Sequence, residues 1–157
     1  MSISARIAGH PVHPMLVSFP IALFVVALLC DIARIISGTS TPYWTLAYYS
    51  IGGGLVGALL AAVPGFIDYL SLEHIRVRRL ALWHMTANSG VVILFVLNFY
   101  LRRPSGAAAA GGGKGLLLAL SSAGVALLGI AGWLGGELVY VYRAGVHERT
   151  SGPRLKK

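Results

Sequence analysis

The chain has 157 residues, 56% of them hydrophobic and 11% charged, with a mean hydropathy of +0.74. Soluble globular domains carry about 25% charged residues, so the composition excludes that class, and the length allows one domain. The net charge of +8 would point to nucleic acid in a soluble protein. Here the basic residues cluster at the ends of apolar runs, where topology signals and lipid headgroup contacts lie, which speaks against nucleic acid.

The opening contains His10-Pro-Val-His13-Pro14 and leads into an apolar run from Met15 to Cys30, followed by Asp31, Arg34 and a GTSTP turn. Pro14 suits a first helical turn and Pro20 should bend the helix near its start. The run is too long for a cleavable signal and lacks a clear small-residue cleavage site, so it is expected to be a retained span. Cys30 is the single cysteine, which excludes an intramolecular disulfide and a CxxC motif and leaves it as a small apolar residue in a helix interface.

A second span is expected from about Tyr43 to Leu70. Gly53, Gly57 and Ala61 recur every four residues, beside a second row of Gly54, Ala58 and Ala62, a pattern that lets helix backbones approach closely in lipid. Pro64-Gly65 should kink this helix, and Asp68 should point into the bundle. The loop Ser71–Arg79 holds Glu73, His74, Arg76, Arg78 and Arg79.

Leu80–Leu101 carries no formal charge over 22 residues, enough at 1.5 Å per residue to cross a hydrocarbon core of about 30 Å. Within it, His84 and Asn88 lie one turn apart and leave the helix on one face. Polar groups at such depth are costly and usually face a bundle interior, a cavity or a cofactor. The segment Ser105–Lys114, SGAAAAGGGK, is expected to be a flexible linker. The fourth span should run from about Gly115 to Tyr142, with Gly129, Gly132 and Gly136 as its small face and Glu137 near its end. Trp44, Trp83, Tyr140 and Tyr142 are expected to be membrane-interface aromatics.

The expected fold is therefore all-α, a four-transmembrane-helix up-down bundle with both termini on the same side. Residues 1–146 form the domain and 147–157 a basic tail. Nine basic residues on the terminal side face four on the other, which predicts cytoplasmic termini. This threading carries His10, His13, Asp68, His84 and Glu137 to one membrane level, where bundles build cofactor and metal sites. Each has a plainer reading. His10 and His13 would be interfacial, Asp68 would pair with Arg78 or Arg143, and Glu137 would be a solvated end charge. His74 and His147 are read as loop and tail residues. GGGKG at 111–115 lacks the context of a phosphate-binding loop, and no HExxH or GxSxG is present.

The HPxHP opening running into LVSFPIALF, Pro64-Gly65 with Asp68, and His84-x-x-x-Asn88 form a set. Gly135-Gly136-Glu137-Leu-Val-Tyr140 followed by Gly145-Val146 completes it. Together they resemble a bacterial family of four-helix inner-membrane proteins, catalogued as domain of unknown function twenty-two thirty-one. The likeness covers about Gly9 to Val146 and implies a multi-pass protein of the bacterial inner membrane. Relatives that look fused to Rieske or cytochrome c domains imply a redox setting.

Three function classes are consistent with these residues. In the first, b-type haem is held by His84 and His13, with Asn88 or Asp68 orienting an imidazole, Gly135 and Gly136 letting the macrocycle approach, and arginines pairing with propionates. In the second, His10, His13, His84 and Asp68 or Glu137 hold a zinc, iron or copper ion. In the third, the chain is a non-catalytic accessory subunit that packs against partner membrane proteins or further copies of itself. A proton or small-solute path through His84 and Asp68 is a further option.

Overall fold

The computed structural model describes residues 5–7, 10–38, 41–103 and 113–144. Most of the expected glycine-rich linker, Gly145-Val146, His147 and the basic tail 147–157 lie outside the described residues. A short antiparallel pair, β1 (Arg6–Ile7) and β2 (His10–Pro11), precedes α1 (Val12–Leu16) and α2 (Ser18–Ser37). Then come α3 (Thr41–Leu70), α4 (Ile75–Arg102) and α5 (Lys114–Gly136), the last running into a π-helical turn at Glu137–Val141. Among the described residues four helical units are long and apolar enough to cross a membrane: Val12–Ser37, Thr41–Leu70, Ile75–Arg102 and Lys114–Val141.

Local chemistry explains the boundaries. Pro20 has no N–H to give the carbonyl of Leu16, and its ring crowds that carbonyl, so the first span is interrupted at Val17 between α1 and α2. Gly38 ends α2 at φ +68°, a left-handed position that glycine occupies without strain. His74 caps α4 by accepting the Arg76 N–H on its ring. Two helices run past their expected ends. The first continues seven residues beyond Cys30 and carries Asp31 and Arg34 inside the bundle; α4 starts at Ile75 and takes Arg76, Arg78 and Arg79 out of the expected loop.

Helices α2 and α3 form one antiparallel hairpin and α4 and α5 another; α2 also packs on α5, and α3 on α4. The start of the first span and the end of the fourth therefore meet at one end of the bundle. The hairpins are two versions of one plan. Pro20, Phe24, Ala27 and Asp31 are buried on α2, and 71 positions later Val91, Phe95, Asn98 and Arg102 are buried on α4. Ala47, Ile51, Gly54 and Ala61 are buried on α3, and 70 positions later Leu117, Ser121, Gly124 and Ala131 are buried on α5. A pseudo-twofold axis along the bundle relates the halves.

Phe24 and Phe95 stack on that axis, ring centres 4.0 Å apart and planes within 6°. Each ring is admitted by a glycine of its own hairpin. A methyl on Gly54 would lie 2.6 Å from the Phe24 ring, and one on Gly124 would lie 2.6 Å from the Phe95 ring. In lipid, such close packing rather than exclusion of water holds helices together. Apolar side chains including Phe19, Leu29, Val56, Leu60, Ile93 and Ile130 point outward, as a lipid-facing belt requires.

The expected small row of the second span is borne out at its inner positions: Gly57 abuts Pro20, and Ala61 is buried. The expected small face of the fourth span is not. A methyl on Gly129 or Gly132 would meet nothing within 4 Å, and one on Gly136 would meet only the Tyr140 ring. The inward row of α5 is Gly124, Ala131 and Gly135, because the helix is rotated to match α3 through the pseudo-twofold.

Candidate functional site

At the end of the bundle where the first span starts, His13 and His84 face each other across the axis, ring centres 6.3 Å apart and planes perpendicular. They are twofold counterparts, and so are their partners. His13 Nδ1 lies 2.8 Å from the carbonyl oxygen of Ala61, and His84 Nδ1 lies 2.8 Å from that of Ala131. A carbonyl can only accept, so both Nδ1 atoms carry a proton, and Nε2 is the nitrogen that bears the lone pair in the neutral form of each ring. One turn beyond each carbonyl stands a glycine. A methyl on Gly65 would come within 2.8 Å of the His13 ring, and one on Gly135 within 3.0 Å of the His84 ring.

Asn88 donates from Nδ2 to the carbonyl of His84 at 2.9 Å. The same nitrogen is 3.5 Å from Nδ1 and 3.2 Å from Nε2 of the ring. Near-equal distances to both ring nitrogens place the amide over the ring face rather than in its plane. The in-plane lone pair of His84 Nε2 is not taken up by Asn88.

The remaining candidates are spread around this pair. Asp68 accepts the Ala5 N–H on Oδ1 at 2.9 Å, tying the N-terminal segment to the end of α3. His10 sits exposed in β2, in register with Ile7. Glu137 opens the π-helical turn, and Gly136 just before it is away from both imidazoles. Among the described residues no three His, Cys, Asp or Glu side chains gather as a metal-ion group. Gly135 is at the site, but it makes room for the imidazole of His84 rather than for the approach of a macrocycle. A groove of about 310 Å³ at the same end of the bundle is lined by Ile75, Arg76, Arg79, Leu80, Trp83 and Tyr142.

The opposite end holds a second polar centre, built from residues that look in the sequence like span-end charges. Arg102 is fully buried and donates from Nη2 to both carboxylate oxygens of Asp31 at 2.7 Å. Its Nε and Nη2 each donate to Asn98 Oδ1 at 3.1 Å. Asn98 donates in turn to Ser121 Oγ at 2.8 Å and to the Leu117 carbonyl at 3.1 Å, and Ser121 donates to Asp31 Oδ2 at 2.7 Å. Nη1 of Arg102 has no hydrogen-bond acceptor, and the guanidinium lies 5.5 Å from the centre of the Trp44 ring. Arg34, also buried, lies over the same ring at 4.5 Å. Trp44 thus lies against two buried cations, a contact its position near a span end does not announce. Trp83 and Tyr140, exposed at the other end, fit the interface role.

The sequence signal that announces both centres is the repeat. His13, Ser18 and Leu23-Phe24-Val25 recur as His84, Ser89 and Leu94-Phe95-Val96, and Gly54, Ala61 and Gly65 recur as Gly124, Ala131 and Gly135.

No curated protein and no solved structure matches the chain. One family profile does, described as "Predicted membrane protein (DUF2231)", over residues 9–148. Matched from just before the HPxHP opening to just past the π-helical turn, the chain belongs to the DUF2231 family of predicted membrane proteins.

Proposed function

We propose that the chain is an electron carrier of the membrane in which His13 and His84 ligate one metal centre through Nε2, with b-type haem as the bound group. One observation carries this reading: two symmetry-related imidazoles, each with Nδ1 engaged by a carbonyl at 2.8 Å, stand with ring centres 6.3 Å apart, so that Nε2 of each neutral ring is the nitrogen open to a metal. Metal-ligating histidines nearly always give their other N–H to a carbonyl or carboxylate, which fixes tautomer and orientation. Neutral imidazole nitrogens are common ligands of zinc, copper and iron, so His13 and His84 would be the residues to hold the metal. Arg76 and Arg79 stand on α4 before His84 and would offer cations for propionates. A bound haem would supply one-electron exchange, and burial by the helices would tune its potential.

The test is an absorbance spectrum of detergent-purified protein, oxidised and reduced, with elemental analysis, repeated for His13→Ala and His84→Ala. A Soret band and a reducible visible band in the wild type, lost in both variants while the protein stays in the membrane, are expected. Stoichiometric metal without a Soret band would replace haem by a bare ion. A wild-type protein free of both, made in cells supplied with haem and metals, would overturn the reading.

A second reading is favoured by the open face of α5. Gly129 and Gly132 point away from the bundle with nothing near their missing side chains. That surface fits a neighbouring helix, as an accessory subunit of a larger membrane complex needs. Purification only together with partner chains, and without cofactor, would support it.

A further inference from the structure

We propose that the two hairpins, residues 10–70 and 75–141, are recognition partners in their own right, and that Asp31 and Arg102 encode which pairs with which. No bound metal is required for this pairing. Across the pseudo-twofold axis, equivalent positions meet: His13 with His84, Phe24 with Phe95, and Asp31 with Arg102. The first two pairs are identical residues and would serve equally well if two first hairpins, or two second hairpins, docked together. The third pair is not identical. Two first hairpins would set Asp31 against Asp31 without the Arg102 guanidinium that both its oxygens accept from, and two second hairpins would set Arg102 against Arg102 without that carboxylate.

The groups around the pair are asymmetric in the same sense. Asn98 and Ser121 complete the hydrogen bonds of Arg102 and Asp31, and both come from the second hairpin. Their counterparts in the first are Ala27 and Ile51, which have nothing to donate or accept. A shared apolar seam supplies attraction, and one buried charge pair refuses the wrong combinations, as unlike charges do in helix pairing. The partner that this surface fits is a hairpin of the same plan carrying the opposite charge at this one position. In the chain as it stands, that partner is its own other half.

The experiment uses the full chain. A protease recognition sequence is inserted between Leu72 and Glu73, in the connection between α3 and α4, the protein is folded in the membrane, cut, extracted in mild detergent and passed over a sizing column with a tag on one half. Both halves should co-elute one to one at the mass of a single chain. Asp31→Arg should lose the untagged half from the complex. The reversed network, Asp31→Arg with Arg102→Asp, Ala27→Asn, Asn98→Ala, Ile51→Ser and Ser121→Ile, should bring it back. Separation of the cut wild-type halves would overturn the proposal, since the surface would then not suffice. So would a reversed network no better than Asp31→Arg alone, since the charges would then not be interchangeable across the axis.

Discussion

Arg102 places a single Nη2 atom 2.7 Å from both carboxylate oxygens of Asp31, with the pair essentially sealed from solvent. An isolated charge at this depth would be prohibitive, and two together are tolerable because Asn98 accepts from Nε and Nη2 of Arg102 and Ser121 donates to Asp31, which leaves Nη1 of Arg102 without an acceptor. Removing one partner strands the other. Arg102→Ala or Asp31→Ala should therefore destabilise the fold by about 3–5 kcal/mol. The double change Asp31→Leu with Arg102→Met should recover most of that loss. Unfolding in detergent, followed by circular dichroism, gives both values, and an Arg102→Ala variant as stable as wild type would rule out the network as a stabilising element.

The Phe24–Phe95 stack depends on a glycine on each side. Gly54→Ala and Gly124→Ala each push a methyl into a ring with nowhere to go, and overpacking of this kind destabilises by about 1–3 kcal/mol. Because the clash is with one named ring, Phe24→Leu should relieve Gly54→Ala but not Gly124→Ala, and Phe95→Leu the reverse. Melting temperatures of the four double variants test the pairing directly.

What was legible in the sequence is what hydropathy and spacing carry. The four spans, the small row facing Pro20 on α3 and the inward direction of His84 with Asn88 follow from apolar length and helical period. Asp31, Arg34 and Arg102 misled because a charge beside an apolar run has two meanings. It can end a span at the headgroups, or sit in the bundle against an opposite charge, and only the partner distinguishes the two. The partner of Asp31 lies 71 residues away, beyond the reach of any local pattern. The internal repeat could have supplied it. Aligning His13 with His84 brings Asp31 opposite Arg102, but the residues shared between the halves are few and mostly apolar, so the period is faint in a membrane sequence. The rotation of α5 was missed for the same reason: glycines on its outer face look the same as glycines on its inner face until Gly124 is matched to Gly54.

The glycines near the histidines allow a test of the site that leaves the ligands in place. Gly65→Ala and Gly135→Ala would bring a methyl to within 2.8 and 3.0 Å of the two rings, tilting each imidazole off its carbonyl. On the proposed function both should lower haem or metal content several-fold, as outer-shell changes at metal sites do, with the helical content unchanged. Gly129→Ala and Gly132→Ala, in open space on the same helix as Gly135, should leave content unchanged and raise stability by up to about 1 kcal/mol through helix propensity. Equal cofactor content in all four variants would remove the glycines from the site.

Trp44 separates the two roles open to a tryptophan near a span end. As an interface anchor it would be replaceable by leucine with little effect on folding, as Trp83, 62% exposed, should be. As a cover for Arg34 and Arg102, at 4.5 and 5.5 Å from its ring centre, it supplies a π face to cations withdrawn from water, an interaction worth about 2 kcal/mol or more when desolvated. Trp44→Leu should then lose roughly that amount, and Trp44→Phe less, since a smaller ring keeps part of the face. The stronger evidence is coupling. Paired with Arg102→Met, Trp44→Leu should show an interaction energy of about 0.5–3 kcal/mol in a double-mutant cycle, as contacting residues do. Trp83→Leu, at the other end of the bundle, should be additive with Arg102→Met. A cycle in which Trp44 is as additive as Trp83 would return it to the interface role and leave the orphan Nη1 of Arg102 without its aromatic neighbour's support.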